Sequence, residues 1–469
     1  MPGDPVRSLP PAGSDPAMTP PVRPRVRSER TRSFEAELVL AGRAWVGGRL
    51  QSLEVGIDGA GRIEAIGRSV PGVRRHDLGD RVLMPAATDA HVHFRDPGPS
   101  ESAETIATGT IGAALGGVGL VGEMPNTEPP TDSAERLSEK EARVRGRAAV
   151  DVLLYATPPT PAAVGRLARH AGGFKLYLSP TTGIERVPTG PDLEALLREL
   201  ARVDLPVAAH AEDPAGFRPG IQAVDPASWN EVRPVGAEGA AVARLLNAPE
   251  ALRLHVAHVT TAAIGRSVRD RHLSFEVTAH HLLLSTAGGT DARWKVNPPL
   301  RTEAERAALW DDYRRGLVPI LASDHAPHSK ESKSAPFDLA PSGVPGVQST
   351  LPLLLAQVAR GELSLPVLLQ TACDRPARLL GQPVGRLSLG HRANLLVIDF
   401  RARGRIRGER LSSPCGWSPF EGAEAVFPTE HWRDGQRIVD GGEYVGRPSG
   451  TVVRPEYAPG VVLPPATEG

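Results

Sequence analysis

The sequence predicts an α/β protein made of a (β/α)8 TIM-type barrel and a flanking small β-sandwich domain that both chain ends build. First, the 469 residues are too many for one minimal core and suit a barrel with a smaller domain. Second, apolar strand-like runs alternate with helical stretches from about residue 85 to residue 376. Third, short strand-like runs separated by glycine turns occur both before and after that region.

The first part of the chain, residues 1–33, predicts a disordered tail. It is rich in Pro, Ser and Arg and shows no apolar periodicity, so it cannot bury enough surface to offset the entropy of ordering. The arginines raise the alternative of a transit peptide. The frequent prolines disfavour the amphipathic helix that such peptides need, and we therefore expect a tail.

Strand-like segments near both ends predict the β-sandwich. Its first part spans 34–84 and its second part spans 377–450, and a C-terminal tail follows over 451–469. Apolar runs bounded by Gly turns are typical of a small antiparallel sheet. The segments with this pattern are Glu37–Val46, Leu53–Ile57, Arg62–Ile66, Gly385–Asp399 and Gly435–Val445.

The middle of the chain, 85–376, predicts the barrel. Repeated β-then-α order over this length favours a parallel sheet, and a (β/α)8 barrel fits it. We expect helices at Ala103–Leu115, Asp192–Arg202 and Ala237–Leu246. The candidate strands are Leu83–Ala87, Gly119–Glu123, Val152–Ala156, Gly173–Tyr177, Pro206–Ala209, Arg253–Val256, Phe275–Thr278 and Val318–Ala322.

Composition narrows the class of protein. Lys plus Arg equals Asp plus Glu, so no overall field favours nucleic acid or an acidic membrane. No apolar run reaches the roughly 20 residues of a membrane span, and the N-terminus has no apolar secretory segment. The two cysteines, Cys373 and Cys415, offer neither a disulfide framework nor a zinc-type pair. We therefore expect a protein of the reducing cytoplasm.

Polar side chains follow the candidate strands where each strand ends, which is where a barrel places its functional groups. His91 and His93 stand two residues apart, so on a strand both rings point to one side and can bind one metal ion. His210, His258 and Asp324 each arrive as an apolar run ends. A structural histidine or a helix-capping aspartate explains any one of them, but a shared metal site explains them together.

Lys175 lies near the end of another strand, within Gly-Gly-Phe-Lys175-Leu-Tyr-Leu. A protonated amine with the usual pKa of about 10.4 would repel metal ions. If its surroundings depress that pKa and the amine captures carbon dioxide, the carbamate becomes an anionic bridge between two ions. The alternative is a solvated surface lysine.

Eight motifs together resemble dihydroorotases of the amidohydrolase superfamily in order and spacing, over about residues 34–445. The FKLYL, SDHAPH and GWSPFEG stretches look especially like the dihydroorotase portion of the animal multifunctional pyrimidine-synthesis enzyme. The motifs are His91-Val-His93-Phe-Arg95-Asp96-Pro-Gly, Met124-Pro-Asn126-Thr, Phe174-Lys175-Leu-Tyr, His210-Ala-Glu212, His258-Val-Thr, Glu276-Val-Thr-Ala-His280-His281, Lys295-Val-Asn297-Pro-Pro-Leu-Arg301 and Ser323-Asp324-His-Ala-Pro-His328.

The resemblance implies two divalent metal ions of the Zn²⁺ type. His91, His93 and Asp324 would bind the more buried ion, His210 and His258 the second, and carboxylated Lys175 would bridge them. A shared hydroxide would attack the ring amide, with Asp324 as general base and then general acid. The implied reaction is the reversible cyclisation of N-carbamoyl-L-aspartate to (S)-dihydroorotate in de novo pyrimidine (UMP) biosynthesis.

The resemblance also implies the substrate contacts. Arg95, Asn126 and His328 match the residues that bind the exocyclic carboxylate, and Asn297 lies where the family contacts the pyrimidine ring. A planar guanidinium can meet a carboxylate through two parallel hydrogen bonds. The alternatives are an ion pair of Arg95 with Asp96 or Glu101, and turn chemistry for Asn126.

Several neighbouring groups have less definite roles. Ala257 stands where the animal enzyme has Cys, so we expect Glu276 to accept a hydrogen bond rather than to bind a third ion. We do not expect His255 to be a ligand. His280 and His281 either orient ligands or pack structurally.

Two rival functions stay open at this point. The first is another cyclic amidase, an allantoinase or a dihydropyrimidinase, which Arg95 disfavours. The second is a non-catalytic dihydroorotase-like subunit of aspartate transcarbamoylase, which the complete set of ligands disfavours. The sequence leaves open whether the chain forms a homodimer or a complex with aspartate transcarbamoylase.

Overall fold

Eight parallel strands, β5 to β12, form the barrel predicted for the middle of the chain. Each strand pairs with the next one along the chain, and helices lie between them. The structure, a computed structural model, describes residues 35–98, 104–181, 183–271 and 273–457. The strands are β1 (Ala36–Val46), β2 (Arg49–Ile57), β3 (Ile63–Gly67), β4 (Gly72–Pro85), β5 (Ala87–Val92), β6 (Val118–Glu123), β7 (Asp151–Ala156), β8 (Gly173–Tyr177), β9 (Val207–His210), β10 (Leu254–Val256), β11 (Ser274–Thr278), β12 (Ile320–Ala322), β13 (Leu395–Ile398), β14 (Gly404–Arg405), β15 (Glu424–Ala425), β16 (Glu430–Arg433), β17 (Gln436–Asp440), β18 (Glu443–Tyr444) and β19 (Val452–Val453).

The barrel closes between its first and last strands. Val92, at the end of β5, forms a parallel bridge with His325, which follows β12. The backbone N–H of His93 donates to the carbonyl of His325 at 2.7 Å. This junction brings the His91-Val-His93 segment beside Asp324.

The helices follow the strands as the β-then-α pattern predicts. Thr261 caps the helix after β10 and Thr278 caps the helix after β11, each accepting from the backbone three residues on. These caps fix the turns that follow the strand ends. The helices are α1 (Ile106–Leu115), α2 (Ala134–Val144), α3 (Val164–Leu167), α4 (Gly190–Leu200), α5 (Pro226–Val232), α6 (Val235–Leu245), α7 (Ala262–Arg269), α8 (Ala279–Leu283), α9 (Glu303–Arg314), α10 (Lys330–Lys333), α11 (Thr350–Ala359), α12 (Leu365–Leu369) and α13 (Arg375–Leu379).

A separate sheet built from both chain ends flanks the barrel, as predicted. Its eight strands lie in the order β18-β17-β16-β13-β4-β1-β2-β3, so β13 pairs with β4 across the whole barrel insertion. A small core that includes Leu38, Leu40, Val55 and Leu395 packs against it. Strands β14 and β15 form a further two-stranded sheet.

One predicted strand was placed wrongly. Leu83–Ala87 is not the first barrel strand, because residues 83–85 end β4, which belongs to the flanking sheet. The first barrel strand is β5, Ala87–Val92, and every residue in it is buried. His91 therefore lies within the strand and His93 directly follows it.

Both expected tails extend beyond the described residues. The tail over 1–33 lies wholly outside them, and so does the C-terminal part of 451–469 from residue 458. The described part of that segment contains β19, which pairs in parallel with β7 of the barrel. None of the helices formed by the described ranges combines the length and the hydropathy that a membrane span needs.

Candidate active site

All six expected metal ligands line one cavity at the carboxyl ends of the barrel strands. Arg95, Asn126 and Asn297 line the same cavity. Strand β5 and the residue that follows it supply the first pair of histidines. Strand β8 supplies the lysine, and the ends of β9, β10 and β12 supply the rest. The ligands are His91, His93, Lys175, His210, His258 and Asp324.

His91, His93 and Asp324 form one half of the site. Each offers an atom that lies within 4.8 Å of the atoms offered by the other two. The two Nε2 atoms are 3.1 Å apart, and Oδ1 of Asp324 lies 3.3 Å from Nε2 of His91 and 3.1 Å from Nε2 of His93.

His210 and His258 form the other half. Nδ1 of His210 lies 2.9 Å from Nε2 of His258, and both rings are buried. Lys175 lies on the side of the first half, with its Nζ 3.2 Å from Nε2 of His91 and its side chain 1 % exposed.

The hydrogen bonds on the outer edges of the rings show that a cation fits between them. Nδ1 of His91 contacts Glu276 at 2.5 Å, Nδ1 of His93 contacts Oδ1 of Asn126 at 2.5 Å, and Nε2 of His210 contacts Glu212 at 2.8 Å. An ionised carboxylate or an amide oxygen only accepts, so these ring nitrogens carry the protons. The inner nitrogens of the three rings then present lone pairs to the cavity.

The spacing of the inner nitrogens agrees with this interpretation. Two imidazole nitrogens on one tetrahedral zinc ion would lie about 3.3 Å apart. The separations here are 3.1 Å and 2.9 Å. The lone pairs of His91 and His93 lie close enough to repel each other unless a cation shares them, so this donor set fits a metal ion.

Burial and nearby groups shift the pKa values of these residues in the directions that metal binding requires. Desolvation lowers the pKa of His93 to about 3 and that of His258 well below its usual range, so both rings are neutral at pH 7. Burial would raise the pKa of Asp324, but the nearby rings of His91 and His93 hold it well below its usual range. Desolvation lowers the pKa of Lys175 to about 8.

The backbone is strained at three of these positions. Arg95, His258 and Asp324 have φ angles of 54°, 39° and 47°, in the left-handed region that L-residues rarely adopt. Such strain persists only where the surroundings fix the conformation, and it often accompanies function. At this site it turns side chains toward the cavity as the strands end.

Of the predicted carboxylate-binding residues, Arg95 and Asn126 line the cavity, and His328 lies next to Arg95. Nη2 of Arg95 is 3.2 Å from Nε2 of His328, which lies 3.0 Å from the carbonyl oxygen of Ser342. The structure does not bring Arg95 into an ion pair with Asp96, which instead pairs with Arg143. Glu101, the other partner considered, lies outside the described residues.

The side-chain amide oxygens of Asn126 and Asn297 both accept hydrogen bonds. Oδ1 of Asn126 accepts from His93, so a donor to a substrate carboxylate would have to be its Nδ2 atom. Oδ1 of Asn297 accepts from Nε1 of Trp229 at 3.1 Å. Asn126 thus orients a candidate metal ligand, a role that the sequence did not indicate.

The sequence also did not reveal a buried ion pair beneath His210. Arg233 donates to both carboxylate oxygens of Glu212, at 3.1 Å and 2.5 Å. Burial would raise the pKa of Glu212, but Arg233 and His210 hold it well below its usual range. The His210-Ala-Glu212 spacing was a signal, since residues two apart on a strand share a side. Nothing in the sequence marked Arg233.

Glu276 accepts hydrogen bonds, as expected. One oxygen contacts His91 and the other lies 2.9 Å from Nε2 of His255. His281 contacts the carbonyl of Pro298 at 3.1 Å and the hydroxyl of Thr278 at 2.8 Å, so it packs structurally. His280 is buried beside it, with ring centroids 4.4 Å apart.

Sequence comparison identifies relatives across almost the full length of the described region. The family model described as "Dihydro-orotase-like" matches residues 80–177. A dihydroorotase of Halobacterium salinarum is 35 % identical over 400 residues, which are 83 % of this chain and 93 % of that protein. Dihydroorotases of Thermoplasma acidophilum and Listeria monocytogenes are each 32 % identical, over 88 % and 84 % of this chain and 97 % and 96 % of theirs.

Solved structures of related enzymes share the fold. An L-hydantoinase (dihydropyrimidinase) from Arthrobacter aurescens superposes with a TM-score of 0.83 at 25 % identity, over 89 % of this chain and all of that one. A D-hydantoinase superposes with a TM-score of 0.80 at 24 % identity, over 90 % of this chain and 99 % of its own. The barrel with a flanking sheet is therefore an architecture that these hydrolases share.

Proposed function

The chain belongs to the dihydroorotase family of cyclic amide hydrolases, and we propose that it interconverts N-carbamoyl-L-aspartate and (S)-dihydroorotate by metal-assisted acid–base catalysis. The reaction would place it in de novo pyrimidine biosynthesis. The observation that carries the proposal is the position of Arg95 and His328 beside a cluster of facing imidazoles.

We infer that the site holds two divalent ions, of which Zn²⁺ suits the ligand set. His91, His93 and Asp324 would hold one ion, and His210 and His258 the other. Lys175 would bridge them as a carbamate. Its position beside His91 and a pKa lowered to about 8 support this role, because only the neutral amine can capture carbon dioxide.

Bound ions of this kind supply hydroxide at neutral pH and polarise the amide carbonyl. Asp324 would take the proton of the attacking water and deliver it to the ring nitrogen as the C–N bond breaks. In the direction of cyclisation, Asp324 would accept the proton of the carbamoyl nitrogen as that nitrogen attacks the β-carboxyl carbon. It would then return this proton to the hydroxide that leaves the same carbon, so that water is released. The low pKa of Asp324 keeps it ionised and able to accept a proton at pH 7.

Substrate recognition would rest on the exocyclic carboxylate. Arg95 is buried, and a buried guanidinium gains most from an anionic partner. His328 and Nδ2 of Asn126 would complete the carboxylate site, and Asn297 would lie against the ring. Dihydrouracil lacks this carboxylate, so it could not use the Arg95 site.

An assay with four substrates tests the proposal. Turnover of dihydroorotate and N-carbamoyl-L-aspartate, with little turnover of allantoin or dihydrouracil, supports it. The reverse preference would make the chain an allantoinase or a dihydropyrimidinase, which the hydantoinase fold also accommodates. Metal analysis tests the non-catalytic alternative, since a purified chain that never holds two ions would support a scaffold.

The cellular location of the enzyme and its partners stay predictions. We expect a cytoplasmic enzyme whose partner is its small-molecule substrate. Sedimentation of the purified chain, alone and with aspartate transcarbamoylase, would distinguish a homodimer from a mixed complex.

A further inference from the structure

Two buried lysines contact a loop that forms part of the wall of the cavity. Lys295 is 4 % exposed and Lys333 is 2 % exposed. Nζ of Lys295 donates to the carbonyl oxygens of Phe337, Asp338 and Ala340 at 2.8, 2.9 and 2.8 Å. All three ammonium protons thus donate to carbonyl oxygens of one loop.

Lys333 repeats this pattern on the next part of the same loop. Its Nζ donates to the carbonyl oxygens of Lys295, Pro341 and Gly343 at 3.2, 2.9 and 3.1 Å. The backbone N–H of Gly343 also donates to the carbonyl of Lys295 at 2.9 Å. The two lysines therefore tie residues 337–343 to the segment that begins at Lys295.

Each ammonium lies over a tryptophan that holds a residue of the proposed substrate site. Nζ of Lys295 is 4.5 Å from the ring centroid of Trp229, whose Nε1 donates to Asn297. Nζ of Lys333 is 5.6 Å from the ring centroid of Trp417, whose Nε1 donates to the carbonyl of His328 at 2.8 Å. The cation and the indole attract each other.

The loop that the lysines hold forms part of the cavity wall. Ser342 and Gly343 line the cavity, and the carbonyl of Ser342 accepts from His328. A Cβ atom on Gly343 would lie 2.6 Å from the carbonyl oxygen of Ala326, so the wall is closely packed here. A small shift of the loop would therefore move His328.

The chemistry of the two buried lysines indicates a role beyond stabilising the fold. Burying an ammonium is costly, and the carbonyls and aromatic rings only offset that cost. An apolar side chain could fill the same space, but it could not fix three carbonyl oxygens at once. A lysine at each position instead specifies one conformation of the loop.

We propose that Lys295 and Lys333 are positioning residues that fix the carboxylate-recognition side of the cavity through Asn297, His328 and the 341–343 loop. The inference rests on the proposed function, in which that side binds the exocyclic carboxylate. Loss of either lysine should weaken substrate binding more than it slows the chemical step.

The test compares Lys295→Met and Lys333→Met with Lys330→Met, an exposed lysine three residues before Lys333. We expect the KM for dihydroorotate to rise about three- to tenfold in the two buried variants. A rise of this size corresponds to the loss of one or two hydrogen bonds between the protein and its substrate. The kcat should stay within about twofold and the metal content unchanged. Lys330→Met should match the wild type.

Trp229→Phe and Trp417→Phe cover the case in which a lysine variant does not fold. Each keeps an aromatic ring beneath the ammonium but removes the indole N–H that holds Asn297 or His328. The same rise in KM without a change in metal content is expected. Folded variants with the wild-type KM, or variants that lose kcat or metal instead, would overturn the proposal.

Hydrogen exchange of the substrate-free protein separates this inference from the proposed function. Amides of residues 337–344 should exchange faster in Lys295→Met and Lys333→Met than in Lys330→Met. If the wild type does not turn over dihydroorotate, the proposed function fails and the exchange result still tests the loop. Exchange equal to that of the wild type would show that the lysines do not hold it.

Discussion

Glu276 contacts His91 at 2.5 Å, on the edge of the ring that faces away from the candidate metal site. The carboxylate fixes the proton on Nδ1, so Nε2 presents its lone pair to the cavity. It also makes the ring a better ligand by offsetting the charge that metal binding would place on it. Glu276 would thus tune a bound metal ion without contacting it.

Replacing Glu276 with Gln should weaken metal binding. The amide keeps the shape and one acceptor but loses the negative charge, and hydrogen bonds to neutral acceptors are roughly half as strong. We expect about a 10- to 100-fold loss in metal affinity or in activity. Titration of the metal-free protein with Zn²⁺ measures the affinity.

Glu250→Gln is the matched control, since Glu250 is exposed. It should bind Zn²⁺ as the wild type does. Equal affinities for Glu276→Gln and the wild type would show that the contact with His91 does not tune the ligand.

Arg95→Met should chiefly weaken binding of the acidic substrate. Charge-assisted hydrogen bonds contribute about 1.5–3 kcal/mol each, so KM should rise about 10- to 100-fold while the ions stay in place. Arg95→Lys keeps the charge but not the planar pair of donors, so its KM should lie between those of the wild type and Arg95→Met. Steady-state kinetics with metal analysis checks this, and an unchanged KM would refute the carboxylate assignment.

Carboxylation of Lys175 should depend on pH. Burial lowers the pKa of its amine to about 8, and only the neutral form captures carbon dioxide. Below pH 8 the neutral fraction falls about tenfold per pH unit, so reconstitution from metal-free protein should slow as pH falls. Labelled bicarbonate should give a carbamate carbon signal in the wild type and none in Lys175→Met. A signal in both would place the carbamate elsewhere.

The barrel strands were largely predictable because their cause is local. Gly173–Tyr177 has the bounds that its apolar run predicted, since a strand buried on both faces is continuously apolar. Strand β4 was not predicted, apart from its last residues. Its segment from Arg74 to Asp77 is polar and mostly exposed, and β4 exists because it pairs with β1 and β13, which are distant in sequence.

The residues of the candidate site also divide into those that the sequence could reveal and those that it could not. His210, His258 and Asp324 could be found because each ends an apolar run, and barrels place functional groups there. Arg233 and Lys333 could not, because they lie in connections between strands. Their contacts, Arg233 with Glu212 and Lys333 with the 341–343 loop, depend on how distant segments pack.

Stability should fall in acid through His431, which lies in the flanking sheet away from the metal site. The ring is fully buried, and its Nδ1 donates to the carbonyl of Ala114 in α1 at 2.9 Å. Burial lowers its pKa from 6.5 to about 4, so the folded protein keeps the ring neutral. Below pH 6.5 the unfolded chain binds a proton that the folded chain does not bind. The stability that the neutral ring confers is therefore complete above pH 6.5 and is lost as pH falls toward 4.

His431→Asn separates this effect from proton uptake by the candidate metal ligands. The amide nitrogen of asparagine lies where Nδ1 of the ring lies, so it can still donate to Ala114. It does not titrate, so the variant should lose less stability than the wild type between pH 6.5 and 4. The difference in the free energy of unfolding should reach at most about 3 kcal/mol at pH 4, the equivalent of the full shift in pKa. Urea unfolding of both proteins at pH 7, 6 and 5 measures it. Parallel losses in the two proteins would mean that the acid sensitivity originates in other groups, because the metal ligands are common to both.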